Sequence, residues 1–276
     1  MSGDARSSAF EIELRLLLEA IFLRFHYDFR SYSMASLRRR VTAALSALGC
    51  ETVSALQEKI LHQPETFTAL LQYLTVQVSD MFRDPAFFLA FRQHVVPELA
   101  TYPSPRVWIA GASSGEEVYT VAIILAEEGL LDRALLYATD INPDAIAKAK
   151  AGVYAEERIP TFAANHRAAG GKQPFERYYT SAYGHAAFDR KLRDRVVFAD
   201  HSLATDSVFA EVQAVTCRNV LIYFDRTLQE RAVGLFRDAL SRRGFLGLGA
   251  MESLQLTKQS SAFEPFLPEL KWYRRS

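Results

Sequence analysis

The stretch VWIAGASSGEEVYT, residues 107 to 120, is the part of the sequence that decides the fold. Four apolar residues lead to Gly111, a turn of small residues ends at Gly115, and Glu116 and Glu117 open a segment with helical spacing. A strand, a glycine-containing turn and a helix in this order are typical of the first half of a doubly wound nucleotide-binding fold. The two glycines do not complete the dinucleotide fingerprint, so an ordinary turn in an α/β domain remains the alternative at this point.

A second predicted strand, at about 134–139, leads directly to Asp140, and a helix is predicted from Pro143. Ligands bind at the carboxyl ends of the strands in open α/β sheets, where an acid can accept hydrogen bonds from ribose hydroxyls. Two more strands are predicted near residues 198 and 215. The candidate binding groups at the ends of these four strands are Gly111, Glu117, Asp140, Ser202, Leu203, Arg218 and Asn219.

These groups favour a ligand that carries an ammonium, two ribose hydroxyls and an adenine edge. S-adenosylmethionine has all three. A dinucleotide fits less well, because Glu116 and Glu117 would repel a pyrophosphate placed at the start of their helix. We expect Glu116 itself to be a solvated charge in the first turn of that helix.

Helical spacing and the absence of a strand candidate predict a small all-α domain at 1–75, ahead of an α/β domain at 76–276. Within the α/β domain, 152–180 is expected to be irregular, and 181–199 is expected to hold a small antiparallel β insertion followed by a strand. A helix at 226–242 is expected to end at Arg242, Arg243 and Gly244, and Trp272-Tyr273 to form the last edge strand.

Composition and charge place the chain among ordinary globular proteins. Of its 276 residues, 49% are hydrophobic and 23% charged, and the net charge of +0 argues against a nucleic-acid partner. Cys50 and Cys217 lie far apart, which fits a reducing compartment. We find no secretory signal at the start, no uncharged window of 18 residues and no zinc-site spacing. The sequence therefore predicts a cytoplasmic protein without metal or direct membrane insertion.

A local excess of positive charge lies in the amino-terminal domain. Asp28 is the one acid between residues 22 and 50, and the basic residues there are Arg24, Arg30, Arg38, Arg39 and Arg40. Such a surface can dock an acidic partner or can be a solvated helix face, and the sequence leaves both readings open.

Five blocks of sequence carry a resemblance to a known family. They are MFRDPAFF at 81–88, GASSGEEVYT at 111–120, ATDINPDAIAKAKAGVY at 138–154, CRNVLIYFD at 217–225 and GFLGLGAMESL at 244–254. Together they resemble the CheR-type bacterial chemotaxis receptor methyltransferases, and the similarity covers nearly the whole chain. The resemblance implies a Rossmann-like class I methyltransferase domain, with a mixed, mostly parallel sheet and a small antiparallel β insertion, behind a small all-α domain.

The resemblance also implies a reaction. Members of this family transfer a methyl group from S-adenosylmethionine to glutamate side chains on the cytoplasmic helices of chemoreceptors, and leave S-adenosylhomocysteine. By analogy Gln77, Ser79 and Arg83 lie on a linker that closes over the cofactor. Tyr223 lies near the transferred methyl group and, with Arg83, orients the incoming glutamate.

The remaining positions follow the same resemblance. It implies that Glu117 meets the methionyl part of the cofactor and Asp140 the ribose. Ser202 and Leu203 flank the adenine, and Arg218 and Asn219 lie beside them.

Some positions depart from the family's common form. Gln77 stands for a frequent asparagine, Ser79 for a threonine and Ser202 for an asparagine, and GAME at 249–252 stands for GHSE. These changes leave two alternatives open. One is a signalling scaffold that binds S-adenosylmethionine or S-adenosylhomocysteine without turnover, and the other is a methyltransferase of this fold that acts on a small molecule.

Overall fold

A computed structural model describes residues 8–76, 79–255 and 257–276. The chain divides into two compact units. The first holds the described residues up to Val76 together with Tyr223–Leu228, and the second holds the rest. Gln77 lies outside the described residues, so its predicted place on the linker stays a prediction.

The first unit is helical, as its sequence pattern predicts. Its helices are α1 (Ala9–Phe25), α2 (Met34–Leu48), α3 (Val53–His62) and α4 (Pro64–Leu74). A capping box at Ser8 and Glu11 starts α1, and the left-handed backbone of His26, at φ 64°, ends it. The face of α1 that carries Leu14, Leu17, Leu18 and Ile21 is buried.

The second unit begins with a continuous helical stretch and continues as an α/β domain. The stretch consists of α5 (Pro85–Ala90), a π-helical turn (Phe91–Val95) and α6 (Val96–Leu99). The later helices are α7 (Glu116–Glu127), α8 (Pro143–Ala151), α9 (Ile159–Ala168) and α10 (Arg226–Ala239). The strands are β1 (Arg106–Ala110), β2 (Leu135–Asp140), β3 (Val153–Ala155), β4 (Tyr179–Ala182), β5 (His185–Phe188), β6 (Val196–Asp200), β7 (Val212–Cys217), β8 (Leu240–Leu248), β9 (Phe263–Leu267) and β10 (Trp272–Arg275).

Seven strands form one mixed sheet in the order β6-β2-β1-β7-β8-β10-β9. The first five in this order run parallel, and β10 pairs antiparallel with both β8 and β9. The chain proceeds outward from β1 through β2 to β6 and then returns to β7 on the other side of β1. The border between β1 and β7 is therefore the point where strand order reverses, and a crevice for a ligand is expected at the carboxyl ends there.

The small antiparallel sheet has the order β3-β5-β4 and starts earlier than the sequence predicts. It recruits β3, whereas β6 belongs to the large sheet. The region 152–180, expected to be irregular, contains α9, because Ile159, Phe162 and His166 recur on one buried face behind a proline in the first turn.

Two further predictions are wrong at the carboxyl end. The strand β10 is not an edge, because β9 lies outside it. Pro265 fits that edge position, since proline cannot donate to a sheet ladder. Helix α10 ends at Ala239, and Arg242, Arg243 and Gly244 lie within β8, where the backbone of Arg243 is left-handed at φ 64°.

Within the described residues, no helix is long and apolar enough to cross a membrane. A search of the same residues finds no group of three or more histidine, cysteine or acidic side chains that could hold a metal ion.

Candidate functional site

The turn after β1 is tied to the end of β2. Gly111 has φ 77°, and its N–H donates to the carbonyl oxygen of Thr139 at 2.8 Å. A Cβ atom at this position would lie 2.4 Å from Cγ2 of Val220, so only glycine fits. The N–H of Ser113 donates to Oδ2 of Asp140 at 2.8 Å. Two elements of the predicted site are therefore brought together directly.

Asp140 lies at the end of β2 and is 9% exposed. Its Oδ1 accepts the N–H of Asn142 at 2.9 Å, in addition to the bond from Ser113. Burial raises the pKa of the Asp140 carboxyl group, and the bonds from backbone N–H groups offset this only in part. Each carboxylate oxygen has two lone pairs, so both can still accept a hydrogen bond from a ribose hydroxyl.

Glu117 presents a buried carboxylate oxygen in the first turn of α7. Its Oε2 lies 3.2 Å from Nη1 of Arg218. Its Oε1 is buried and accepts no hydrogen bond from the described residues. A buried acceptor without a donor is costly, more so when it carries charge. The ammonium of a methionyl group would supply the missing donors, so this atom fits the cofactor that the sequence predicts.

The neighbouring Glu116 is not the solvated charge that we expected. It is fully buried, and Nη1 of Arg158 lies 2.7 Å from its Oε1. The hydroxyl of Ser114 donates to the same carboxylate at 2.8 Å. The partner that permits this burial is 42 residues away in sequence, so local pattern gave no signal for it.

Arg218 lies at the Glu117 end of the site. Its Nη2 donates to the carbonyl oxygen of Arg83 at 2.9 Å and to the Asp84 carboxylate at 2.6 Å. The guanidinium carbon lies 4.3 Å from the centroid of the Phe87 ring. These contacts bury the Arg218 side chain to 2% exposure and join it to the Glu117 pair.

A buried carboxylate that sequence reasoning missed holds the turn after β7. Glu252 accepts N–H groups of Gly249 at 2.6 Å, Asn219 at 3.1 Å, Val220 at 2.9 Å and Leu221 at 2.8 Å. Asn219 is left-handed at φ 60°, and burial raises the pKa of the Glu252 carboxyl group. The signal was present in the GAME block, where the glutamate matches that of GHSE, but three of the four N–H groups that donate to it are 31 to 33 residues away.

The segment after β6 approaches Asp140 through its backbone. The N–H of His201 donates to the Asp140 carbonyl oxygen at 3.0 Å. Ser202 follows, its N–H bonded to the Asp206 carboxylate at 2.9 Å, and Leu203 is 8% exposed. Ser202 and Leu203 therefore directly follow His201, whose backbone bond ties this segment to the end of β2, and their predicted contact with adenine stays a prediction.

Arg83 precedes α5 and is half-buried. In the part of the chain that the structure describes, its guanidinium has no hydrogen-bond or ion-pair partner, while its carbonyl oxygen is held by Arg218. Ser79, earlier in the same segment, has its carbonyl oxygen bonded to Arg158.

Tyr223 belongs to the first compact unit. The Arg40 guanidinium carbon lies 4.3 Å from its ring centroid, and its carbonyl oxygen accepts the N–H of Ser33 at 2.8 Å. The Arg40 side chain also donates to the carbonyl oxygen of Leu74 and is 7% exposed. Arg40 is therefore not part of an exposed basic face, which corrects the predicted set.

The other four arginines of that set are exposed. Arg30 pairs with Glu19 and Asp28, and Arg38 pairs with Glu11.

The reversal of strand order, the glycine turn, the acid after β2 and the unsatisfied Glu117 oxygen together define a Rossmann-like class I methyltransferase. Comparison with known families agrees with this class. Residues 77–266 match the family described as CheR methyltransferase, SAM binding domain, and residues 12–75 match CheR methyltransferase, all-alpha domain. The chain belongs to the CheR methyltransferase family. The predicted fold class and S-adenosylmethionine as cofactor are thereby confirmed.

Three relatives illustrate the similarity. A candidate methyltransferase of Pseudomonas putida, Cher3, is 57% identical over 96% of this chain and 97% of its own length. The chemotaxis protein methyltransferase of Salmonella typhimurium is 28% identical over 88% and 84% of the two chains. The protein of the same name from Escherichia coli is 31% identical over 67% and 64%.

Proposed function

We propose that the protein esterifies glutamate side chains of chemoreceptors in the cytoplasm, with S-adenosylmethionine as the methyl donor and S-adenosylhomocysteine as the product. The observation that carries the proposal is the Arg83 guanidinium, half-buried and without a described partner, on a segment bonded to the Glu117–Arg218 pair. A cation placed there suits a carboxylate substrate. The names of the relatives from Salmonella and Escherichia coli place those proteins in chemotaxis and support the same choice.

The cofactor is held by groups at the carboxyl ends of the strands. Glu117 Oε1 accepts from the ammonium, and Asp140 accepts from the ribose hydroxyls. Ser202 and Leu203 flank the adenine. Gln77 and Ser79 contribute from the linker.

The reaction needs orientation rather than a base. A glutamate carboxylate is already ionised near neutral pH, since its ordinary pKa is about 4.3. The bound cofactor supplies an electrophilic methyl group: the carboxylate oxygen bonds to the methyl carbon as the carbon–sulfur bond breaks and its electron pair stays on sulfur. Arg83 holds one carboxylate oxygen by a charge-assisted hydrogen bond and leaves the other in line. Tyr223 is assigned to the substrate by the family resemblance alone. Well-oriented groups reach effective molarities of about 10⁵ M or more.

The test uses methyl-labelled cofactor and cytoplasmic fragments of chemoreceptors. We expect base-labile label on the receptor, and none on a fragment whose methylatable glutamates are changed to alanine. Arg83→Ala should lower kcat/KM for the fragment. Tight cofactor binding without transfer would instead favour the signalling scaffold, and label found only on small molecules would favour a methyltransferase that acts on a small molecule.

The partner proposal concerns the helical, acidic region of the receptors and the exposed arginines of the first unit, Arg24, Arg30, Arg38 and Arg39. Reversing Arg38 and Arg39 to glutamate should raise KM for the receptor fragment severalfold while leaving the Kd for the cofactor unchanged, since surface charges act mainly on association. The same reversal at Arg242 and Arg243, exposed in the second unit, is the matched control. Equal KM values for both variants would mean that Arg38 and Arg39 belong to a solvated helix face and not to a docking surface.

A further inference from the structure

The segment that carries Arg83 has an unfavourable backbone. We call residues 79–84 the Arg83 segment. Phe82 has φ 52° and Asp84 has φ 59°, both in the left-handed region that favours glycine. This conformation is unfavourable for residues with a side chain, so it persists only where its surroundings hold it in place.

Bonds from side chains of α7 and α9 hold the middle of the segment. The carbonyl oxygen of Met81 accepts from Nδ2 of Asn165 at 3.1 Å. The N–H of Phe82 donates to Oγ1 of Thr120 at 2.8 Å, and both Phe82 and Thr120 are fully buried. At the far end, Arg218 holds the carbonyl oxygen of Arg83. The backbone is fixed at three points, and the Arg83 side chain is left free of described partners.

Arg158 holds the near end of the segment. One of its amino groups, Nη2, donates to the carbonyl oxygen of Ser79 and lies 3.0 Å from Oδ1 of Asp80. The other, Nη1, lies 2.7 Å from the carboxylate of Glu116, which has no solvent exposure. The guanidinium carbon lies 4.7 Å from the centroid of the Phe162 ring. Arg158 therefore joins the segment to the first turn of α7, the same turn that presents Glu117.

A buried ion partner makes this bridge more than a surface pair. Exposed ion pairs contribute little to stability and are mobile, whereas a charge without solvent exposure must keep its partner. Only the planar guanidinium can bind Glu116 with one amino group and the segment with the other, because an ammonium is a single point of charge.

We propose that Arg158 is a positioning residue for methyl transfer, which fixes the Arg83 segment against α7 so that the Arg83 guanidinium meets the substrate carboxylate. The proposal rests on the role given above to Arg83. Arg158 itself touches neither substrate nor cofactor in this scheme.

A double-mutant cycle separates positioning from general stability. The variants are Arg158→Met, Arg83→Ala and the pair, assayed for kcat/KM with the receptor fragment at a temperature where all remain folded. Arg158→Met should lower kcat/KM about tenfold, in the range that misplaced catalytic groups cost. In the Arg83→Ala background it should cause little further loss, because the group that it positions is gone. Arg158→Lys should recover part of the activity, and Arg167→Met, an exposed arginine of α9, should match the parent protein.

Additive losses in the cycle would overturn the proposal, as would full activity of Arg158→Met. A second readout needs no methyl transfer. Hydrogen exchange of a peptide spanning 79–84 should quicken in Arg158→Met and stay unchanged in Arg167→Met. Failure of the proposed function shows as no transfer by the parent protein. In that case unchanged exchange in Arg158→Met overturns the inference. Faster exchange would support the part that Arg158 fixes the Arg83 segment and would overturn the part that this serves methyl transfer.

Discussion

The turn after β1 and the Arg83 segment both contain strained backbone, yet they are stabilised in opposite ways. The turn is left-handed at Gly111, Ser113 and Gly115, so glycine occupies two of these three positions, and its bonds run to the next strand of the same sheet at Thr139 and Asp140. The Arg83 segment contains no glycine, and its bonds come from side chains of Thr120, Arg158 and Asn165, between 38 and 84 residues away.

The difference teaches that strain at a functional site can be met by residue choice or by tertiary contacts. Where glycine supplies the conformation, the local sequence is enough. Where bulky residues are forced into it, distant anchors must over-determine the backbone. Five predictions break or sharpen this comparison, from the largest expected effect to the smallest.

The largest effect is expected at Glu127, which anchors α9 and so, indirectly, the Asn165 contact to the Arg83 segment. Its buried carboxylate lies 2.6 Å from Nη2 of Arg92, 3.0 Å from Nε2 of His166 and 2.8 Å from the hydroxyl of Tyr178. Glu127→Ala should lower the free energy of unfolding by about 3–5 kcal/mol, as expected when one member of a buried pair is removed. Denaturant unfolding measures it. Glu128→Ala, whose carboxylate is partly exposed, is the control and should lose less than half as much.

The same residue predicts a pH dependence. Burial raises the pKa of Glu127, but hydrogen bonds from His166, Tyr178 and Arg92 outweigh burial and lower the pKa from 4.5 to about 2. A lowered folded-state pKa means that the ionised group stabilises the fold above about pH 4.5 and loses this contribution as the pH falls toward 2. The stability difference between the parent protein and Glu127→Ala should be constant near neutral pH and shrink in acid; a difference that does not vary with pH would contradict this.

Asp140→Ala tests the turn. It removes the acceptor for the ribose and also for the N–H of Ser113, so the Kd for S-adenosylmethionine should rise about 10- to 100-fold. Titration calorimetry measures it. Asp132→Ala, at an exposed aspartate before β2, is the control. An unchanged Kd for Asp140→Ala would remove Asp140 from the ribose site.

Glu116 and Glu117 are adjacent residues with different roles: Glu116 pairs with Arg158, and Glu117 is proposed to bind the cofactor ammonium. The pair therefore sharpens the comparison. Glu117→Gln should raise the cofactor Kd about tenfold, because the buried oxygen loses its charge for the ammonium. Glu116→Gln should instead lower the unfolding free energy, because Arg158 loses a buried ion partner. Measuring both quantities on both variants checks the assignment, which an equal rise in Kd for the two variants would disprove.

The smallest effect is expected from Thr120→Val, which keeps the shape of the side chain and removes the acceptor for the Phe82 N–H. One buried donor is left unpaired, so stability should fall by about 1 kcal/mol and kcat/KM by roughly threefold. Thr101→Val is the matched control. The hydroxyls of Thr120 and Thr101 each donate to a backbone carbonyl oxygen, but Thr101 lies on the surface. If the two variants behave alike, the anchor at Thr120 is dispensable.

The sequence predicted the elements whose determinants are local. Apolar runs and the glycine turn predicted β1, β2 and the acid at the end of β2, and the bond from Ser113 to Asp140 confirms that the turn and the acid meet. The cofactor's place at these strand ends stays a prediction. Helix α9 was missed because its few buried residues follow a mixed polar segment, and β9 because its proline and its acid suppress a strand pattern. Arg40 was assigned to a surface by its charge alone, and the structure buries it against Tyr223.

By itself, then, the sequence determined an α/β domain with a glycine turn after its first strand and an acid at the end of its second. The tertiary structure alone decided that Glu116 is buried, that Glu252 gathers four backbone N–H groups and that Arg158 joins the Arg83 segment to α7. The physical reason is distance along the chain. Helix propensity and turn formation depend on residues that are close in sequence. A buried charge is paired with whatever residue the fold brings next to it, and no local sequence pattern predicts that partner.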